Sequence, residues 1–226
     1  FENNLRQDFD CVVAANGRRS SAPNWLTEAG IDFPTEEVED TGIIYYSRFY
    51  KLPEGQKLPV GDRLVAGDLG YLKYGVFWGD NNTFSITFAT SDTDKTFWGI
   101  KDPDMFEDVT RLIPAAAEWL ELEAKPITSV HSMAGLLNRK RTLCGPNGIV
   151  VDSFHLVGDA LICTNPLYGR GCSTGFWQAH LLAQSIQSNN NDSIAQGERF
   201  AQNIEENILP WYSASVESDK GNRASS

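Results

Sequence analysis

The stretch "LVGDALICTNPLYGRGCSTG", Leu156 to Gly175, holds the residue types in this chain best spaced for chemistry. An apolar run reads as a strand ending at Gly158 and Asp159, so Asp159 is expected to project a carboxylate from the carboxyl edge of a sheet. Open α/β sheets bind ligands at that edge. An ionised carboxylate only accepts hydrogen bonds, which suits the hydroxyls of a sugar or polyol. Further on, Pro166 stiffens the chain, and Gly169 and Gly171, on either side of Arg170, let the backbone approach a flat ligand without a Cβ in the way. A helix pattern begins near Cys172, and its first N–H groups and dipole favour a group that carries or develops negative charge. A polyol joined to a reducible, anion-forming ring meets all of these conditions, and flavin adenine dinucleotide (FAD) is such a molecule. The plainer alternative is an ordinary strand, turn and helix in which Asp159 is a structural cap.

A second candidate lies near the start, in "CVVAANGRRSS". Cys11 to Ala15 reads as a short buried strand, Asn16-Gly17 as a turn, and the following basic loop leads to Trp25 and Leu26. Arg18 and Arg19 are either phosphate contacts or a solvated loop. The basic run Asn138 to Arg141, "NRKR", is either an exposed strand end or a binding patch. The cysteines Cys11, Cys144, Cys163 and Cys172 form no CxxC pair, and His131, His155 and His180 are scattered, so no metal site is expected. No histidine receives a catalytic role.

These candidates need elements to hold them. "PTEEVED" reads as an acidic linker, and "TGIIYYSRFYKL" after it as a long strand. Tyr71 to Trp78 and Thr83 to Ala89, around "GDNN", form the clearest local signal, a β-hairpin. Alternation puts aromatic residues on both of its faces, so Tyr45, Tyr74, Phe77 and Phe88 are candidates for a pocket wall as well as for core. "DPDMFEDVTRLIPAAAEWLE" reads as a helix starting at Asp102 or Asp104, broken by Pro114. Two more strands follow, the second ending at Gly158-Asp159.

The helix near Cys172 is expected to bury Phe176, Ala179, Ala183 and Ile186. Another is expected to start with Ser193 and Gln196 at capping-box spacing. The resulting organisation is mixed α/β (α+β): an α/β layer built from residues 1–40 and 141–212, an inserted antiparallel-sheet domain at 41–140, and a flexible tail at 213–226.

At 226 residues the chain can bury a substantial core. A net charge of -11 argues against nucleic acid or an anionic membrane as the main partner. No apolar run is long enough for a transmembrane helix. Residues 1–10 are polar and charged rather than basic and then apolar, so a cytoplasmic protein with reduced thiols is expected.

The segment "LVGDALICTNPLYGRGCSTG" resembles the GD motif of FAD-dependent oxidoreductases of the p-hydroxybenzoate hydroxylase type, a superfamily that also holds geranylgeranyl reductases and flavin halogenases. "CVVAANGRRSS" resembles the same family's second signature, with Asn16 where an Asp is customary. The likeness runs from Cys11 to about Ile186. It implies the C-terminal part of a Rossmann-like FAD/NAD(P)-binding domain with an inserted substrate domain. It also implies that Gly158 and Asp159 meet the ribityl chain, Pro166 lies beside the ring, and backbone from Gly169 through Arg170 and Gly171 to Cys172 faces N1 and O2. Asn16 and Gly17 would lie toward the pyrophosphate.

The implied activity is a monooxygenase using NAD(P)H, a hydroperoxyflavin and an apolar or aromatic small molecule. Reduction of a prenyl or other double bond, halogenation, and a non-catalytic ligand-binding fragment are the alternatives. The family's GxGxxG segment would precede Phe1, so a longer protein is expected.

Overall fold

The computed structural model describes residues 7–32, 35–56 and 65–224. In chain order they form β1 (Val12–Ala14), α1 (Ala22–Glu28), β2 (Thr35–Asp40), β3 (Ile43–Lys51), β4 (Val65–Asp68), β5 (Leu72–Trp78) and β6 (Thr83–Ser91). Then come α2 (Pro103–Arg111), α3 (Pro114–Leu120), β7 (Lys125–Pro126), β8 (His131–Met133), β9 (Leu137–Thr142), β10 (Cys144–Gly145), β11 (Gly148–Ile149), β12 (Phe154–Leu156) and β13 (Ile162–Cys163). Helices α4 (Gly171–Ser188), α5 (Ser193–Asn207) and α6 (Leu209–Ala224) complete the chain. With 41% helix and 28% strand, and antiparallel sheets dominant, the class is mixed α/β. Two compact units result, Phe1–Thr41 with Leu137–Lys220, and Gly42–Leu136 with Gly221–Ser226.

The second unit is an antiparallel sheet, β4-β5-β6-β3-β7, with β8 also on β3. The hairpin of β5 and β6 turns through Asn81 and Asn82, both at φ 56, a left-handed conformation that asparagine tolerates better than most residues. Alternate residues Leu72, Val76, Phe84, Ile86 and Phe88 are buried and form the core with α2 and α3. Rings interlock there: Tyr50 stacks on Phe84 at 5.3 Å, Phe84 meets Trp119 at 5.0 Å and Phe88 meets Phe106 at 4.9 Å. Asp102 caps α2 by accepting from the N–H groups of Asp104 and Met105, and Pro114 opens α3 as its first residue.

The first unit holds the parallel pair β1–β12, the antiparallel trio β13-β9-β2 and the short β10–β11 pair. Its apolar core gathers Leu156, Leu161, Leu181, Leu182, Phe200 and Ile208.

Five expectations change here. The first strand, expected to be buried from Cys11 to Ala15, buries only Ala14. The acidic "linker" is strand β2, paired antiparallel to β9, because its carboxylates face the basic residues of "NRKR" across the ladder. Helix α4 buries Gln178, Leu181, Leu182 and Ser185, while Phe176 stays 79% exposed. The helix is apolar on more than one side, so spacing alone does not single out the buried face. Helix α5 is capped by Asp192, whose side chain accepts from the Ala195 N–H at 2.9 Å, one residue before the expected cap. Residues 213–224, read as a flexible tail, continue α6, whose buried Tyr212, Ser215 and Asp219 recur at helical spacing. Two of those three are polar, and a polar buried face hides from a hydropathy pattern.

Candidate functional site

Parallel pairing brings the two sequence motifs to one place. Val12, Val13 and Ala14 lie beside Phe154, His155 and Leu156, and the Val157 N–H donates to the Ala14 carbonyl at 3.1 Å. Both strands therefore end at the same carboxyl edge, and Asn16-Gly17 and Gly158-Asp159 leave from neighbouring positions on it. The strand stops at Leu156, so Asp159 stands in a single helical turn, Gly158–Ala160, rather than on the strand end. Gly158 has φ 63, which makes the abrupt change from strand to turn cheap.

Asp159 is directed at the tip of α4. A Cβ added to Gly171 would lie 3.9 Å from Asp159 Oδ1, and one added to Gly175 would lie 3.6 Å from the Gly158 Cα. The first bond within α4 runs from the Thr174 N–H to the Arg170 carbonyl at 2.9 Å, so the N–H groups of Gly171, Cys172 and Ser173 have no acceptor inside the helix. No side chain caps α4, in contrast to α2 and α5, which carry aspartate caps. Gly169, at φ 62, ends the short Pro166–Tyr168 turn with open space where a Cβ would stand. Pro166, Gly169, Gly171 and Cys172 are exposed, and Asp159 and Arg170 are half-buried.

Strand β9 fastens both motifs. Its Arg139 donates from Nη1 to the Arg18 carbonyl of the first motif at 2.8 Å. Its Arg141 donates from Nη1 to the Ala160 carbonyl of the second at 2.9 Å. Between them stands Glu36 of β2, with Oε2 2.8 Å from Arg141 Nε and Oε1 3.1 Å from Arg139 Nε. Arg141 is buried, and its guanidinium is satisfied by a carboxylate and a backbone carbonyl, the condition for a tolerable buried charge. Cys163 sits beside these groups: burial and then the Asp159 charge push its thiol up to about 11, while Arg18 and Arg139 act in the opposite direction. It remains a protonated thiol at neutral pH.

The aromatic candidates all lie in the second unit. Phe88 is fully buried against Phe106, Tyr45 is buried, and Tyr74 packs partly buried with its ring over Gly67. Phe77 keeps 49% of its surface exposed. A cavity of about 510 Å³ in the first unit is lined by residues including Leu143, Phe154, His155, Phe200 and Ile204; from the second motif it takes Leu156 and Leu161, and neither Asp159 nor any residue from Pro166 to Cys172. Among the described residues no group of three or more His, Cys, Asp or Glu could hold a metal ion, and no helix is long and apolar enough to cross a membrane.

The sequence reading passed over Glu36 and Asp219, and it left Asn138, Arg139 and Arg141 as either an exposed strand end or a binding patch, whereas they are the groups that meet those two carboxylates. Opposite charge in "TEEVED" and "NRKR" was the available signal for Glu36, Arg139 and Arg141, because oppositely charged residues favour facing positions on neighbouring strands.

A parallel strand pair ending in two glycine turns, a helix tip beyond them and an antiparallel sheet encoded between the two motifs make up a fold shared with several solved structures. Solved structures with this fold include Klebsiella pneumoniae HpxO complexed with FAD and uric acid, at TM-score 0.64 and 15% identity over 94% of this chain and 51% of that one. The tetracycline destructase Tet(51) aligns at TM-score 0.58 and 15% identity, over 94% of this chain and 54% of its own. The flavin-dependent halogenase CmlS aligns at 0.57 and 13%, over 87% and 34%.

In sequence, the chain is 27% identical over 201 residues to Protein Rv3254 of Mycobacterium tuberculosis, an alignment covering 82% of this chain and 39% of that protein. The chain thus spans about two fifths of this curated relative and about half or less of the solved chains. No protein-family model matches the sequence.

Proposed function

We propose that this chain supplies the flavin-facing part of an FAD-dependent oxidoreductase that oxygenates a small apolar or aromatic molecule, with NAD(P)H as reductant. The observation that carries the reading is the convergence of Asn16-Gly17, Gly158-Asp159 and the uncapped tip of α4 at one sheet edge. The open, glycine-lined surface from Pro166 to Cys172 fits a flat ring, and the neighbouring carboxylate fits a polyol. Asp159 accepts from ribityl hydroxyls, Pro166 flanks the ring, and the N–H groups of Gly171 and Cys172, beside Gly169 and Arg170, favour negative charge on the ring's N1–C2=O edge. Asn16 and Gly17 lie toward the pyrophosphate.

When bound, the flavin supplies the redox and oxygen-activating chemistry, and the chain contributes placement and electrostatics. No side-chain acid or base is required of it. Of the pocket candidates Tyr45, Tyr74, Phe77 and Phe88, Phe77 is the most exposed, and its free surface suits contact with an apolar molecule. All four cysteines are free thiols, which supports a reducing, cytoplasmic setting.

The test is the visible spectrum and oxygen uptake of the protein as encoded. The parent is expected to purify with flavin absorbance, and Asp159→Ala to weaken FAD binding about tenfold or more, the scale of a hydrogen bond to a charged group. Substrate-dependent oxygen uptake supports oxygenation. Substrate reduction without oxygen uptake moves the reaction to a flavin-dependent reductase, and halide incorporation moves it to a halogenase. A parent that takes up no flavin leaves only a small-ligand module.

A further inference from the structure

We propose that Asp219, on the last helix of the first unit, is the positioning residue that holds the loop 165–171 in the shape the flavin needs; this rests on the flavin reading above. Asp219 is a carboxylate only 2% exposed. Its Oδ2 accepts from Asn138 Nδ2 at 2.6 Å, and its Oδ1 accepts from Asn165 Nδ2 and from the Tyr168 hydroxyl, each at 2.8 Å. The two asparagines close the network: Asn138 Oδ1 accepts from the Asn165 N–H at 2.8 Å, and Asn165 Oδ1 accepts from the Leu167 N–H at 3.1 Å. Asn138 and Asn165 are themselves buried.

The loop's composition explains why such an anchor is needed. Its outward residues Pro166, Gly169 and Gly171 are exposed, and a side chain at Gly169 would touch nothing within 4 Å, so no packing from that side fixes the backbone. Its inward residues Asn165 and Tyr168 both end on Asp219. The next residue, Arg170, lies over the Tyr168 ring at 5.4 Å and over Trp211 of the same α6 at 5.1 Å. One helix thus grips the loop at Asn165, Tyr168 and Arg170. An apolar residue at 219 would serve burial as well as a carboxylate does, but it could not dictate direction; three converging donors do. Tyr168 stays a donor at physiological pH, because burial and then the bond to Asp219 push its hydroxyl up to about 12.

The experiment compares the protein as encoded with Asp219→Asn, which keeps shape but replaces one acceptor oxygen by an amide donor, and with the milder Tyr168→Phe. Amide hydrogen exchange without flavin, FAD affinity and the visible flavin spectrum are measured on each. Asp219→Asn is expected to speed exchange at Asn165, Leu167 and Gly169 about tenfold or more while β3 and β6 keep their protection. FAD affinity falls by a similar factor and the visible flavin bands change shape; Tyr168→Phe shows the same pattern more weakly. Should Asp219→Asn not fold, the Tyr168→Phe result decides. Unchanged loop exchange overturns the inference, as does a loosened loop that binds FAD with unaltered affinity and spectrum. A parent that takes up no flavin fails the flavin reading first and the inference with it, so the two failures are distinguishable.

Discussion

The two units are stabilised by different chemistry. The second is organised by rings, Tyr50, Phe84, Phe88, Phe106 and Trp119, buried on one side of an alternating sheet. In the first, an ordinary apolar core lies under a motif-bearing edge held by hydrogen-bonded charge: Glu36 between Arg139 and Arg141, and Asp219 among Asn138, Asn165 and Tyr168. Apolar packing is non-directional and tolerates shape-conserving exchange, whereas a buried ionic network fails when one member is lost. A surface that must present bare backbone to a ligand cannot be covered by side chains, so it is fixed from beneath by groups that specify direction.

The largest expected effect tests the apolar half of this contrast. Phe88→Ala should cost about 3–5 kcal/mol in urea unfolding, and faster amide exchange should be concentrated in β5 and β6. Exchange spreading equally to Leu167 and Gly169 would show that the two stabilities are not separate. Next is Glu36→Gln, which leaves two guanidiniums without their shared carboxylate. A loss of about 2 kcal/mol is expected, with weakened protection at the Asn16–Gly17 and Gly158–Ala160 turns, read by the same exchange measurement.

A third effect is negligible above neutral pH and grows only in acid. Burial lowers the pKa of His155 below its usual 6.5, with Asp152 opposing more weakly. The unfolded chain therefore binds a proton more readily than the folded one. The stability contributed by neutral His155 is complete above 6.5 and is lost as pH falls below that value toward the folded pKa. The His155→Phe variant should show a shallower decline in unfolding free energy between neutral and mildly acidic pH than the parent. The smallest change is expected from Lys140→Ala. It removes an ion pair with the half-exposed Glu37 at 2.7 Å, and a shift of about 0.5 kcal/mol or less in chemical unfolding is the expected result.

Legibility in the sequence follows the same contrast. The β5–β6 hairpin, β3, the Asp102 start and the Pro114 break are all readable, because alternation, turn residues and proline act over a few positions. Gly158-Asp159 and Asn16-Gly17 could be singled out because a strand followed by glycine is also a local signal. The supports of those turns left only the opposite charge of "TEEVED" and "NRKR" as a signal, and none for the meeting of Asn138 with Asp219. Glu36 and Arg141 lie far apart in sequence, as do Asn138 and Asp219, and each alone has the composition of a solvated surface. Strand β2 passed for a linker and the end of α6 for a tail for the same reason: their buried or paired residues are polar.

Strand β9 has a consequence for how the protein can be altered. Arg139 and Arg141 share one of its sides and Asn138 takes the other, so three attachments, to the first motif, the second motif and the Asp219 network, are set by a single register. Adding one residue to β9 would turn every downstream side chain over and detach several of these moorings at once. The same addition in the turn Gly79–Asn82 would lengthen a hairpin tip and little else. Circular permutation or loop grafting should therefore be directed to that tip, with the six residues from Leu137 to Thr142 kept intact as a ruler.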